Sequence, residues 1–241
     1  MTIRLKEPAL FTSIPHPCSY LPGRVATTLF IDPQQRLNGP VFAHFARHGF
    51  RRSGDFVYRP CCQDCSACVP VRIPVDAFTA SRSQRRTCNK NRDLTVRRST
   101  AAFKAEHFEL YLRYQRSRHA GGGMDERDPD KYLKFLVTRH VQTQFYELRL
   151  GERLVAVTVA DVLPDALSAV YTFFDPQESR RSLGVFAILL QIQEAQWLGL
   201  PWLYLGYWIK ESRKMNYKCN FRPLEAYRNG RWSLLEESAL T

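Results

Sequence analysis

Four cysteines lie within residues 61–68: Cys61, Cys62, Cys65 and Cys68. Two-residue gaps between Cys62, Cys65 and Cys68 let thiolates converge on one ion, which suits tetrahedral zinc or an iron–sulfur cluster. Cys18, beside another proline-rich turn, would complete this set of candidate metal ligands. The chain has 7 cysteines, an odd number, which argues against a disulfide framework in a cytosolic protein. Cys88 stands among Arg85, Arg86 and Lys90, where an exposed thiol would have a lowered pKa. Cys219, in an aromatic context, reads as structural.

A second constellation is basic. A helix over 82–92 would put Arg82, Arg85, Arg86 and Lys90 on one face. That face could lie on a phosphate backbone, because arginine's planar donors suit phosphates and position a polymer without reading its sequence. Arg180 and Arg181 precede an apolar run from Leu183, where the amides of a helix start could help hold a phosphate. Residues 1–100 hold 16 Lys/Arg and 6 Asp/Glu, and residues 101–241 hold 19 and 17, so nearly all of the +12 net charge lies in the first part. A field so concentrated favours an anionic partner such as nucleic acid.

The elements that must position these residues fall into two parts. With 44% hydrophobic and 24% charged residues, the 241-residue chain is not wholly disordered and holds one large or two small domains. Residues 1–99 are rich in cysteine, basic residues and proline, and predict short elements and ordered loops, with one helix over 40–49. Residues 100–241 predict helices over 100–119 and 129–140, alternating strands over 145–150, 153–162 and 167–174, and a largely buried helix over 183–198. A strand over 202–207, a short helix from Ser212 to Tyr217 and an extended section over 221–232 complete the order. This is an α/β (α+β) pattern, and it resembles the acyltransferase core of the GCN5-related N-acetyltransferase superfamily. No apolar run reaches 18 residues and the N-terminus has no apolar core for a signal peptide, so a cytoplasmic protein with no membrane partner is expected.

Several motifs then point to one family. They are PCSYLP (17–22), YRPCCQDCSACVPVRIPV (58–75), SRSQRR (81–86), GGMD (122–125), GYWI (206–209) and KESRKMNYKCNFRP (210–223). Together they resemble the bacterial aminoacyl-tRNA–protein transferases of the leucyl type, relatives of the eukaryotic arginyl-tRNA–protein transferases, over essentially the whole chain. The resemblance implies transfer of an aminoacyl group from charged tRNA to the α-amine of proteins that begin with Asp or Glu, marking them for N-end-rule degradation. It aligns Cys18 and Cys68 with cysteines of a eukaryotic metal or iron–sulfur site. Leu21 falls where a second ligand would stand, so Cys62 and Cys65 would have to replace what is missing.

Ester aminolysis itself requires no cofactor. It requires a donor to the tetrahedral oxyanion, an acceptor for the amine proton and a proton for the ribose oxygen. Tyr171, Asp175, Tyr207 and Glu211, with Asp161 beside them, are the candidates near strand ends. Arg72, Arg213 and Lys214 are candidates for the acceptor's carboxylate; Arg82, Arg85, Arg86 and Lys90 for the tRNA body; Arg180 and Arg181 for its 3′-end phosphates. An arginyl donor, an acetyl-CoA-dependent N-acetyltransferase and a zinc-containing RNA-binding protein are the alternatives.

Overall fold

The computed structural model describes residues 8–118 and 127–236; the GGMD motif at 122–125 lies outside them. The first part builds β1 (Leu10–Thr12), β2 (His16–Pro17), β3 (Val25–Ala26), β4 (Thr28–Ile31), α1 (Gly39–Arg47), β5 (Arg51–Ser53) and β6 (Phe56–Pro60). β1, β4, β6 and β5 form a four-stranded sheet in that order, and β2 pairs with β3 in a small ribbon. α1 starts where its sequence says: Asn38 caps the Val41 amide and Pro40 occupies the first turn.

Next come β7 (Val69–Pro74), α2 (Arg82–Lys90), β8 (Leu94–Thr100), α3 (Ala105–Arg118) and α4 (Pro129–Leu136). They are followed by β9 (Gln142–Leu150), β10 (Arg153–Val162), β11 (Ala166–Phe174), α5 (Leu183–Trp197), β12 (Trp202–Trp208), β13 (Glu225–Arg228) and β14 (Arg231–Leu234). One eight-stranded sheet runs β14-β13-β7-β12-β11-β10-β9-β8. β7 and β8 precede residue 100, so the sheet takes strands from both sides of that position. Among the described residues only β11 and β12 pair in parallel, and α5 makes the crossover that a parallel pair requires.

α5 packs Ile188, Leu189, Ile192 and Ala195 on one sheet face with Val71, Ile73, Leu203 and Leu205. The other face carries α3 and α4 over Phe145, Val157, Val159 and Phe173, and the first module over Ala166 and Tyr204. Several elements differ from expectation, and α4 ends at Leu136, short of the expected 140. α3 begins at Ala105, not at 100, because residues up to Thr100 belong to the edge strand β8. No α-helix forms from Ser212 to Tyr217; turns lead into a 3-10 helix at Asn216–Asn220. Trp197, expected in the buried face of α5, is 70% exposed, with the Arg98 guanidinium 4.3 Å over its ring.

A buried polar network ties α3 to β9. Glu147 accepts from Lys104 Nζ (2.6 Å), His107 Nε2 (2.8 Å) and Arg149 Nε (2.8 Å). Burial alone would raise this carboxyl; the three donors outweigh it and hold the pKa at about 2. A depressed carboxylate contributes its stability above the unfolded pKa and loses it as pH falls. The window is therefore from 4.5 down to about 2, with about 3 kcal/mol at stake. Urea unfolding at pH 7 and at pH 3 should show about 2 kcal/mol of that loss in the native protein, since pH 3 lies inside the window, and a flatter pH dependence in E147Q.

Candidate active site

β11 and β12 are hydrogen-bonded only where Ala166, Leu167 and Ser168 face Trp202, Leu203 and Tyr204. Beyond that point β11 continues on β10 and β12 continues on β7, so the sheet opens between them. Openings at the carboxyl ends of parallel strands, where neighbours part, are where open sheets bind ligands.

Both strands carry a bulge at the opening. The β10·β11 register shifts so that Val170 is extra, and the β12·β7 register shifts so that Leu205 is extra. A bulge reverses the facing of every later side chain. Tyr171 consequently joins Val170 and Phe173 in the cluster beneath α3 and α4. Tyr207 likewise points to the same side as Tyr204, toward the first module. Gly206 holds φ at +80°, a conformation that disfavours a side chain.

The two tyrosines differ in what their hydroxyls do. Tyr207 is buried and donates to the Gly49 carbonyl (2.9 Å), with Tyr58 O at 3.2 Å. Its proton ties β12 to the first module, which corrects its expected catalytic placement: it stands at the opening as a strut. Tyr171 Oη accepts from Gln115 Nε2 at 3.0 Å, which leaves the phenol proton to be donated. Its ring is fixed edge-on by Phe135 at 5.0 Å, and burial raises its pKa, so it is a neutral donor at neutral pH.

The 3-10 helix Asn216–Asn220 adds Tyr217 and Lys218 here. Burial, with a smaller contribution from Tyr114 of α3, pushes the Tyr217 hydroxyl up to about 12. Lys218 is buried and donates to the Tyr207 carbonyl at 2.5 Å. Desolvation, reinforced by the Arg51 charge, lowers its pKa to about 7. Sequence reading passed over Lys218 because lysines are rarely buried, and its setting between Tyr217 and Cys219 is the one signal that it carries.

The acids are placed otherwise than expected. Asp161 is fully buried and paired with Arg52, which removes it from the reacting centre. Asp175 accepts from the Gln177 amide (3.0 Å) and from Arg153 Nη1 (2.9 Å), so it caps the 3-10 helix Pro176–Arg181. That role corrects its expected catalytic placement. Glu211 is exposed just after β12.

Among the basic candidates, Arg72 is the largest correction. Its guanidinium lies 3.6 Å from the Trp202 ring centre and 4.4 Å from that of Trp232, and it pairs with Glu225 at 2.7 Å. It locks β13 and β14 to the sheet and is closed to an acceptor carboxylate. Arg181 makes a two-pronged contact with Asp93 (2.8 Å each) and a third with Glu178 (2.9 Å), so its guanidinium is already committed. Arg213 and Lys214 are exposed in the segment between β12 and the last 3-10 helix.

α2 forms as expected, with Ser81 and Gln84 in a reciprocal cap. Arg82, Arg85, Arg86 and Lys90 are exposed. Lys90 Nζ donates to the Arg180 carbonyl and Asn91 Nδ2 to the Arg181 carbonyl, which docks α2 against the start of α5. The two basic motifs, 90 residues apart, thus meet in one surface that the exposed Arg180 completes. Cys88 turns into the core beside α5, and burial raises its pKa, the opposite of the expected activation.

Cys18, Cys62, Cys65 and Cys68 do come together, lining one pocket of about 240 Å³ with Tyr20, Tyr58 and Tyr207. Cys62 Sγ lies 3.7 Å from Thr27 O, Cys65 Sγ accepts from Arg24 Nη1 at 3.2 Å, and burial with the neighbouring thiols pushes Cys68 up to about 12. Metal ligation needs converging thiolates. Among the described residues no three His, Cys, Asp or Glu are grouped so as to hold an ion.

Residues 16–86 match the model of the arginine-tRNA-protein transferase N terminus, and residues 106–228 match that of its C terminus. An aspartate/glutamate leucyltransferase of Pseudomonas fluorescens Pf0-1 is 54% identical over 93% of this chain and 96% of its own. The one of Pseudomonas syringae pv. syringae B728a is 52% identical over the same shares. Among solved structures, FemX aligns at 9% identity and a TM-score of 0.48, over 86% of this chain and 81% of that one.

Proposed function

Since the chain belongs to the arginine-tRNA-protein transferase family, we propose that it moves leucine from leucyl-tRNA to the α-amine of proteins that begin with Asp or Glu. The observation that carries this reading is its near full-length likeness to aspartate/glutamate leucyltransferases. The fold is α+β, and we read its core as of the GCN5-related N-acetyltransferase kind, because one parallel strand pair parts in mid-sheet.

In the reaction the acceptor's amine nitrogen attacks the leucyl ester carbon. An amide bond forms, the ester bond to the terminal ribose breaks, the nitrogen loses a proton and the ribose oxygen gains one. An α-amine with a pKa of about 7.7 is partly neutral at pH 7, so holding amine and ester together supplies much of the rate. Tyr171 donates its phenol proton to the developing oxyanion or to the leaving oxygen. Glu211 orients the amine and receives its proton. Arg82, Arg85, Arg86, Lys90 and Arg180 hold the tRNA by its phosphates. The aminolysis as written requires no cofactor.

Transfer from labelled leucyl-tRNA and arginyl-tRNA to peptides starting with Asp, Glu or Ala tests the reading. Leucine should enter the Asp and Glu peptides alone. Arginine incorporation would replace the donor, and label from acetyl-CoA but from neither tRNA would overturn the reaction. Replacing Arg82, Arg86 and Lys90 together by Ala should weaken tRNA binding and flatten its dependence on salt, by about one unit of log–log slope for each phosphate no longer neutralised. An unchanged slope would move the tRNA to another face.

A further inference from the structure

The cysteine-lined pocket is built for an anion. We infer that it receives the first residue of the acceptor protein, its side-chain carboxylate on Arg24 and its α-amine turned toward Glu211. The inference rests on the transfer reaction proposed above.

At about 240 Å³ the pocket is smaller than the roughly 300 Å³ at which small-molecule sites begin, so it suits one amino-acid side chain. His16 and Arg24 line it, and no carboxylate does among the described residues. Behind its tyrosines lie the buried Arg51 guanidinium and the buried Lys218 amine, which with its pKa lowered to about 7 is charged in part at neutral pH; neither has an ion-pair partner among the described residues. Arg51 lies electrostatically close to Tyr58 and Tyr207, and Lys218 to Cys68. The Nε and Nη2 of Arg51 are buried without a hydrogen-bond partner. Buried positive charge without compensation favours an anion next to it.

Arg24 stands at the rim, exposed, with a thiol as its hydrogen-bond acceptor. Sulfur is a weak acceptor, so exchanging Cys65 for a carboxylate that takes two N–H donors is favourable. Glu211 is close enough to act electrostatically on Arg24. A cation with an anion within electrostatic reach matches the carboxylate and ammonium that an N-terminal Asp or Glu carries a few bonds apart. Tyr207 forms part of the lining and lies at the opening between β11 and β12, which puts the amine within reach of the ester.

Two measurements test this. The first compares transfer by the native protein and R24Q. KM for an Asp-starting peptide should rise about 10- to 100-fold, the worth of one charge-assisted hydrogen bond, with KM for leucyl-tRNA unchanged. The second follows iodoacetamide alkylation by peptide mapping, without tRNA. An Asp-Ala dipeptide should slow reaction at Cys65 and not at the exposed Cys61, while Ala-Ala should protect neither. An active R24Q with native peptide KM overturns the inference and leaves the reaction standing. If the native protein transfers no leucine, the reaction falls and the alkylation result alone decides the pocket. A metal bound stoichiometrically by the four thiols in the purified protein would fill the space and overturn the inference.

Discussion

Replacing Arg52 by Met should cost the protein about 3–5 kcal/mol, because it strands a buried carboxylate. Arg52 Nε and Nη2 reach the two oxygens of Asp161 at 2.5 and 2.6 Å, and the side chains are 3% and 0% exposed. Nη2 also donates to the Leu136 carbonyl at 2.8 Å, and Thr143 donates to Asp161 Oδ1 at 2.9 Å. One guanidinium thereby joins β5 of the first module, the end of α4 and the β10 strand. For a chain of this size the loss lowers Tm by about 6–20 °C. The double variant R52M/D161L should recover much of it, since a buried pair replaced by apolar groups is often near neutral. Thermal melts of both variants decide the point: a single variant within about 1 kcal/mol of the native protein would mean that water reaches the pair.

The same pair shows where sequence reading stops. Local signals are sound: α1, β10 and α5 keep their expected bounds to within two residues, since caps and periodicity are written in neighbouring residues. β8 escaped because, as an edge strand exposed along most of its length, it has no alternation of apolar residues to read. β7 escaped for the opposite reason. Pro70 and Pro74 argue against a central strand, yet Pro70 faces Tyr207 just past a bulge, where the ladder is already irregular. Strand-end tyrosines and acids were visible as candidate site residues. Their roles were not, because partners such as Arg52 for Asp161, Trp202 for Arg72 and Gly49 for Tyr207 lie more than a hundred residues away. The bulges also matter: an extra residue in each strand changes which face a tyrosine occupies, and strict alternation hides that.

Those two tyrosines should separate chemistry from architecture. Y171F removes only the hydroxyl and keeps the ring against Tyr111 and Phe135. Its stability should stay within about 1 kcal/mol of native, the worth of one hydrogen bond, while kcat falls by about 100-fold, as for loss of an oxyanion donor. KM for either substrate should change little, because the donation is made chiefly in the transition state. Y207F should behave in the reverse way. Its missing proton leaves Gly49 O and Tyr58 O short of a buried donor, so it should destabilise by about 1–3 kcal/mol. At a temperature where both proteins are folded, its kcat should remain within about a few-fold of native, since the transition state keeps its donor at Tyr171. Single-turnover transfer from leucyl-tRNA, read beside urea unfolding of the same samples, separates the two cases. A Y171F that transfers at the native rate would shift the proton donor to the 3-10 helix, where Tyr217 and Lys218 stand across the opening.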